Sequence, residues 1–207
     1  MLAFSSDIYL IKTAELQKLP HKKGIIPDNG EITLFLDAEN GDCLISGAGD
    51  VAAAADEYLP VRLAYQSFPK LKSFFINLNK KIKRRHYIIS PAVYTVPLQC
   101  LYDNHVLRGE RNAQNAYEWT NKRWQMSAEE KHKRWTDLYN SLKNRGFDRN
   151  DPILLVLNRC LGVKDQIFQG HHRLGICKEL KMKEVAVSFW AVHRSFDFFK
   201  LFVRRKM

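Results

Sequence analysis

The sequence contains no pair of cysteines in a C-x-x-C arrangement. Its four cysteines, Cys43, Cys100, Cys160 and Cys177, lie far apart, which argues against a zinc ribbon and favours free thiols in a reducing compartment. No apolar run approaches the roughly 18 residues that predict a membrane-spanning helix. The first residues, MLAFSSDIYLIK, lack the basic start and unbroken apolar run of a secretory signal. We therefore expect a cytoplasmic protein without a membrane span.

Apolar and basic residues are plentiful. Of the 207 residues, 45% are hydrophobic and 12% aromatic, which indicates a packed core rather than a disordered chain. The net charge of +11 favours polyanionic or phosphorylated partners. The densest basic stretch, Lys70–Arg85, is either a nucleic-acid patch, a surface for anionic membranes or a solvated helix face. The aromatic tail SFDFFKLFVRRKM is predicted to pack on the body or to form a dimer interface.

Residues 1–89 are predicted to form a small α+β appendage of unknown role. The segment EITLFLDAENGDCLIS predicts two strands around a tight turn at Asn40-Gly41, a pair that readily takes positive φ. Asp50 is predicted to cap a short helix through the alanines that follow it. LPVRLAYQ predicts another strand, and Pro69 predicts the start of a basic helix.

Residues 90–207 are predicted to form a small mixed sheet with flanking helices. SPAVYTVPLQCLYDN predicts a strand leading into a loop. Ser127 and Glu130 form a capping-box pattern at the start of a helix that Gly146 ends. DPILLVLN, GVKDQIFQG and EVAVSFWAV predict strands, and HHRLGICKELKM predicts a helix between the last two. The longer helix carries one apolar stripe, made of Trp135, Leu138, Tyr139 and Leu142.

A glycine followed by three polar side chains stands where a strand should turn into a helix. Gly170 allows a sharp turn and a close approach to the backbone. The first amides of a helix attract anions, Arg173 offers a planar fork for phosphate oxygens, and His171 and His172 can donate to the same oxygens. The pattern predicts a phosphate-binding corner. Two alternatives remain: a capped core histidine with Arg173 paired to an acid, or a metal site that lacks an obvious third ligand.

The segment RGFDRNDPILLVLN…KDQIFQGHHRLGICKELKMKEVAVSFW resembles the ParB/sulfiredoxin superfamily. Members share a helix ending in Gly, a P-I-x-V-like strand, a G-H-H-R or G-x-x-R turn and helix, and a closing V-P-V-like strand. The upstream VPLQCLYDN looks like their first strand. The resemblance covers about half the chain, from Tyr94 to Val192. It implies a nucleotide-binding domain that holds a triphosphate at Gly170–Arg173, with ATP or CTP and Mg²⁺ as cofactors.

Departures from the family pattern narrow what the resemblance implies. Sulfiredoxins have a nucleophilic cysteine where His171 stands, so their repair chemistry is disfavoured here. ParB proteins continue into a helix-turn-helix domain, whereas 15 residues follow Val192. The D-G-H-H-R motif of the ParB-like kinases is the closest match, but its leading acid is Gln169 here. Asp165, or an acid from another segment, could replace that acid.

The resemblance favours an ATP-dependent kinase that phosphorylates a small-molecule or glycan hydroxyl. It places a catalytic acid in the segment after the first strand, and Glu110 is our choice for the base there. Arg108 and Arg111 beside it could contact phosphates, and His172 could carry a proton. Trp190 could line the substrate pocket. The simpler interpretations are that Glu110 pairs with its arginine neighbours and that Trp190 belongs to the core.

Two other functions remain open. The first is a nucleic-acid-associated ATPase or nuclease of the Osa or phage ParB-like kind, which the basic stretch favours. The second is a non-catalytic switch in which bound nucleotide orders the aromatic tail for a partner.

Overall fold

A computed structural model describes residues 2–27, 30–66, 86–103, 126–157 and 165–192. Over these ranges the chain has an α+β architecture with two small mixed sheets and five helices. The predicted α+β class is therefore confirmed.

The first sheet is formed by the N-terminal part of the chain. Its strands are β1 (Leu2–Lys12), β2 (Thr33–Leu36), β3 (Cys43–Ser46) and β4 (Tyr58–Gln66). They lie in the order β1-β4-β2-β3, and β4 runs antiparallel to β1 and parallel to β2. Two short helices, α1 (Thr13–Leu16) and α2 (Ala48–Ala53), accompany them. The long first strand was not predicted.

The hairpin between β2 and β3 is confirmed, but its turn is wider than predicted. Of the predicted turn pair Asn40-Gly41, only Gly41 has a positive φ, of 83°. The side chain of Asp37 organises the loop, because its Oδ1 accepts hydrogen bonds from the backbone N–H groups of Glu39 and Asn40. The predicted cap at Asp50 is wrong: α2 begins at Ala48, and its N-cap position is Gly47, which has a left-handed φ of 72°.

The second sheet is built around β9 (Glu184–Val192). That strand pairs in parallel with β7 (Ile153–Leu157) and antiparallel with β5 (His86–Ile88) and β6 (Tyr94–Pro97). β8 (Gln166–Gln169) pairs antiparallel with the other edge of β7. The strands predicted after residue 90 are confirmed.

Three helices lie after residue 90. The residues after Pro97 form a helix, α3 (Leu98–Asp103), where we expected a loop. α4 (Ala128–Arg145) begins with the predicted capping box and ends at Gly146, which has a φ of 76°. Leu142 is buried, and the rest of the predicted stripe packs half-buried against the core. The last helix is α5 (His171–Glu179).

One apolar core lies between the two sheets. Its members come from both, and the rings of Tyr9 on β1 and Phe189 on β9 meet edge-to-face with centroids 5.2 Å apart. A β-bulge in β1 between Phe4 and Ile8 interrupts its pairing with β4. The backbone amides at that bulge contact Asp165 instead. The proposed division into domains at residue 89 stays a prediction.

Several predictions concern segments outside the described ranges. They include the helix from Pro69, the basic stretch Lys70–Arg85 and the aromatic tail. Within the described ranges, no helix combines the length and apolar character needed to cross a membrane.

Candidate functional site

The helix α5 connects β8 to β9. β7 and β9 are parallel and begin at one end of the second sheet, and the antiparallel β8 ends at that same end. A helix of nine residues is about 13 Å long, which is enough to pass two strand spacings of roughly 5 Å each. The connection from β8 to β9 therefore places the first turn of α5 beside the start of β7.

Gly170 makes this turn in a conformation that other residues rarely adopt. Its φ is +105°. A Cβ at this position would lie 3.0 Å from Ile153 Cγ1 and 3.2 Å from Ile153 Cα. The turn therefore depends on glycine both for its backbone conformation and for its close approach to β7. The predicted role of Gly170 as a sharp bend agrees with this geometry.

The start of α5 presents backbone amides. The first internal hydrogen bond of the helix runs from Leu174 N to Gly170 O, at 2.9 Å, and no side chain caps the terminus from the Gly170 position. An α-helix supplies no internal acceptors for its first amides, which here belong to residues 171–173. The Tyr102 hydroxyl on α3 donates to Leu174 O and holds this turn in place.

Arg173 is buried and paired with an acid, as one of the two alternatives for this corner predicted. The residue is only 8% exposed. Its Nη1 lies 2.8 Å from Asp151 Oδ1, and the Asp151 side chain is 64% exposed. The contact has the distance of an ion pair but not the alignment of a hydrogen bond, and in the described structure Nη1 forms no hydrogen bond at all.

The two histidines are half-buried. The His172 ring meets the Trp135 ring of α4 edge-on, with centroids 5.8 Å apart. This contact fixes His172 against the longer helix. Together, Gly170, the two histidines, Arg173 and Asp151 form what we call the α5 corner.

Other predicted site residues lie elsewhere. Asp165 is fully buried at the far end of β8, where it accepts a hydrogen bond from the Tyr9 hydroxyl at 2.8 Å. It is therefore a structural residue and cannot replace the acid missing at Gln169. Trp190 pairs with Val156, three residues along β7 from Ile153, and stacks on Phe168 at 6.3 Å. Three residues along a strand span about 10 Å, so Trp190 lies about that far from the α5 corner.

The remaining predicted residues, Arg108, Glu110 and Arg111, lie outside the described ranges. Cys177 faces inward as predicted. Burial raises the pKa of its thiol to about 12, and the nearby Arg173 offsets this only in part. A thiol with that pKa is not a nucleophile at neutral pH.

Asp151 is the residue that the sequence analysis missed. It ends a turn in which its amide donates to Asp148 O at 3.2 Å, and Pro152 follows it directly. Arg149, inside the turn, is held by Glu15 of α1 at 2.7 Å and by Val93 O. The sequence alone did not carry this signal, because Asp151 and Gly170 lie at the same end of the sheet only when β8 runs antiparallel to β7.

The described residues include no group of three or more histidine, cysteine or acidic side chains that could hold a metal ion. Comparison with protein families, with curated proteins and with solved structures finds no match. The likeness to the ParB/sulfiredoxin superfamily thus stays a prediction that depends on the motifs alone.

Proposed function

We propose that the α5 corner binds the phosphates of a nucleotide, and that the protein is a ParB/sulfiredoxin-like, ATP-dependent phosphotransferase. Its acceptor would be a hydroxyl of a small molecule or glycan. The observation that carries the proposal is Arg173: a buried guanidinium in the first turn of a glycine-started helix, whose described contact is one unaligned ion pair.

Burial of a guanidinium is costly unless its donors are bonded. Arginine has five N–H donors in a rigid fork, and Asp151 accounts for a single short contact. Phosphate oxygens match that fork, and they also accept from the amides at a helix start. A phosphate at the corner would therefore supply acceptors for both sets of donors.

Transfer of a phosphoryl group requires cations around the γ-phosphate and a base for the acceptor. Arg173 and the α5 amides would hold the phosphate oxygens, and His172 would donate to them. The acceptor oxygen bonds to the γ-phosphorus as the bond to the β–γ bridging oxygen breaks. The acceptor proton passes to a base, for which the resemblance offers Glu110, and ADP leaves. Mg²⁺, when bound, would neutralise charge on the phosphates.

The test is nucleotide binding measured by calorimetry and thermal shift against ATP, CTP and GTP, with and without MgCl₂. A ligand that binds only the folded protein raises the melting temperature. Arg173→Met keeps much of the side-chain volume and removes the charge. We expect it to weaken nucleotide binding by a hundredfold or more, about 2.7 kcal/mol.

Arg145→Met, which changes an exposed arginine at the end of α4, is the matched control and should bind as the wild type does. Wild-type protein that binds none of the nucleotides, or Arg173→Met protein that binds normally, would overturn the proposal. Nucleotide binding without ADP release for any hydroxyl acceptor would favour the non-catalytic switch.

A nucleic-acid-associated function is the second candidate, because the net charge is +11. Binding of this kind weakens steeply with salt, as counterions are released from the phosphate backbone. Binding of single- and double-stranded DNA at 50 and 200 mM salt separates the two candidates. A loss of tenfold or more over this range favours nucleic acid, whereas the phosphotransferase predicts no specific DNA binding.

A further inference from the structure

We propose that Asp151 determines which anions the α5 corner accepts. In the ligand-free protein its carboxylate is bound to Arg173, and a ligand must displace it to reach the guanidinium. A phosphate group with two charges then binds, whereas carboxylates and other anions with a single charge are rejected. This inference rests on the proposed function, because it names the class of ligand for the same corner.

The contact between Asp151 and Arg173 is the one that a ligand would have to break. Asp151 Oδ1 lies 2.8 Å from Arg173 Nη1, which is the distance at which a guanidinium holds a carboxylate or phosphate oxygen. A phosphate that also bound Nη1 would come close to the Asp151 carboxylate. Like charges at such a short separation repel strongly where solvent is partly excluded. The ligand and the Asp151 carboxylate therefore compete for the same cation.

The exposure of the two side chains decides which of them moves. The Asp151 side chain is 64% exposed, whereas that of Arg173 is 9% exposed. An ion pair with a solvated partner is weak, and its exposed carboxylate regains water when it leaves. The backbone of Asp151 is held, because its amide donates to Asp148 O at 3.2 Å and the ring of Pro152 restricts the next residue. Displacement thus requires rotation of one side chain.

A carboxylate within the protein rejects free carboxylates. A free carboxylate that replaced Asp151 would form the same ion pair and would also lose its translational freedom, so the exchange is unfavourable. A terminal phosphate has up to two charges and three acceptor oxygens. It can accept from the Arg173 guanidinium and from the first amides of α5 together. We therefore expect only the phosphate to gain from the exchange.

The first measurement is the affinity for ATP and for inorganic phosphate, by calorimetry in EDTA so that no metal contributes. Asp151→Asn removes the charge and nearly preserves the shape of the side chain. We expect it to bind both ligands about tenfold more tightly than the wild type, or about 1.4 kcal/mol. Glu179→Gln is the matched control, because it removes one exposed acid from the opposite end of α5, and it should bind as the wild type does.

The second measurement tests displacement itself, with Asp151→Ala. ATP is titrated in sodium formate and in sodium chloride at equal ionic strength. Formate should weaken ATP binding to Asp151→Ala severalfold relative to chloride, because a free carboxylate can then bind Arg173. It should leave the wild type unchanged. A thermal melt of each variant checks folding, and Asp151→Ser provides a second small neutral side chain should the alanine variant misfold.

Three results would overturn the inference alone. The first is Asp151→Asn protein that binds ATP no more tightly than the wild type. The second is weaker binding by that variant, which would make Asp151 a residue that positions Arg173. The third is formate that affects the wild type and Asp151→Ala equally. A wild type that binds no nucleotide would instead remove the proposed function, and this inference with it.

Discussion

The interface between the two sheets and the α5 corner both bury charged or polar groups, but the two regions differ in how these groups are hydrogen-bonded. At the interface, Asp165 accepts from the Tyr9 hydroxyl and contacts two backbone amides of β1. Asp42 accepts from the Ser90 and Tyr94 hydroxyls and from the Asp37 amide. At the corner, the contact of buried Arg173 with a charged side chain among the described residues is one ion pair to Asp151, and Nη1 forms no hydrogen bond with them.

This difference separates structural polar groups from candidate functional ones. Burial raises the pKa of Asp42, and the hydrogen bonds from Ser90 and Tyr94 offset only part of that rise. Groups bonded in this way hold the two sheets together and have little capacity left for a ligand. A guanidinium with unused donors has that capacity. Stability should therefore depend on the interface, and binding should depend on the corner.

The largest loss of stability is expected when the interface is broken at Asp165. Replacement by alanine leaves the Tyr9 hydroxyl and the β1 amides without their acceptor in a fully buried position. We expect the free energy of unfolding, from urea denaturation, to fall by about 3 kcal/mol. Tyr9→Phe removes only one of these bonds and should cost about 1 kcal/mol. If Asp165→Ala lowers the free energy of unfolding by less than Tyr9→Phe does, the interface does not depend on this carboxylate.

Gly170→Ala tests the backbone of the corner. Alanine is strained at a φ of +105°, and its Cβ would lie 3.0 Å from Ile153 Cγ1. We expect a loss of about 2 kcal/mol in urea denaturation. Gly49→Ala is the control, since Gly49 lies inside α2 with open space around it, and should stabilise the protein by up to about 1 kcal/mol. Equal effects of the two substitutions would contradict a special role for the turn.

Arg173→Met should change stability little, although the residue is buried. An apolar side chain avoids the cost of burying a charge with a single unaligned partner, so the free energy of unfolding should stay within about 1 kcal/mol of wild type. Arg149→Met should cost more, because Arg149 makes aligned hydrogen bonds to Glu15, Thr95 and Val93. If Arg173→Met lowers the free energy of unfolding more than Arg149→Met does, Arg173 is a structural cation and the contrast between corner and interface fails.

The smallest effect is expected at Glu184, a half-exposed acid that joins the start of β9 to the first sheet. The Tyr58 hydroxyl and Lys12 lower its pKa below the usual value. Its contribution to stability is therefore complete above the unfolded pKa of about 4.3 and is lost as the pH falls through the lower folded value. Glu184→Gln should cost less than about 1 kcal/mol at pH 7, and less at pH 3 than at pH 7. Urea denaturation at both pH values checks this. A cost independent of pH would exclude an ionic origin.

Local patterns predicted a large part of the second half of the chain. The capping box at Ser127, the glycine stop at Gly146 and the order of strand, turn, helix and strand around Gly170 are each set by residues close together in the sequence. The first strand was missed because its residues alternate imperfectly: its bulge serves Asp165, more than 150 positions away.

The candidate site was less predictable than the fold. The motif located Gly170 and Arg173, but the burial of Arg173 depends on packing that the motif does not encode. Asp165, which we considered as a replacement for the missing acid, is buried and accepts a hydrogen bond from Tyr9, whereas Asp151, which the sequence analysis did not consider, contacts Arg173. Such assignments follow from which strand ends share an edge, and this is a property of topology rather than of spacing.

The ion pair between Arg149 and Glu15 has a practical consequence for experiments on fragments of this protein. A fragment trimmed to the motif-bearing half would retain every residue of the α5 corner, yet it would lack the carboxylate that holds the neighbouring turn. Weak activity of such a fragment could then result from a less ordered turn around Arg149 and would not show that the wrong substrate was tested. Assays should begin with the whole chain.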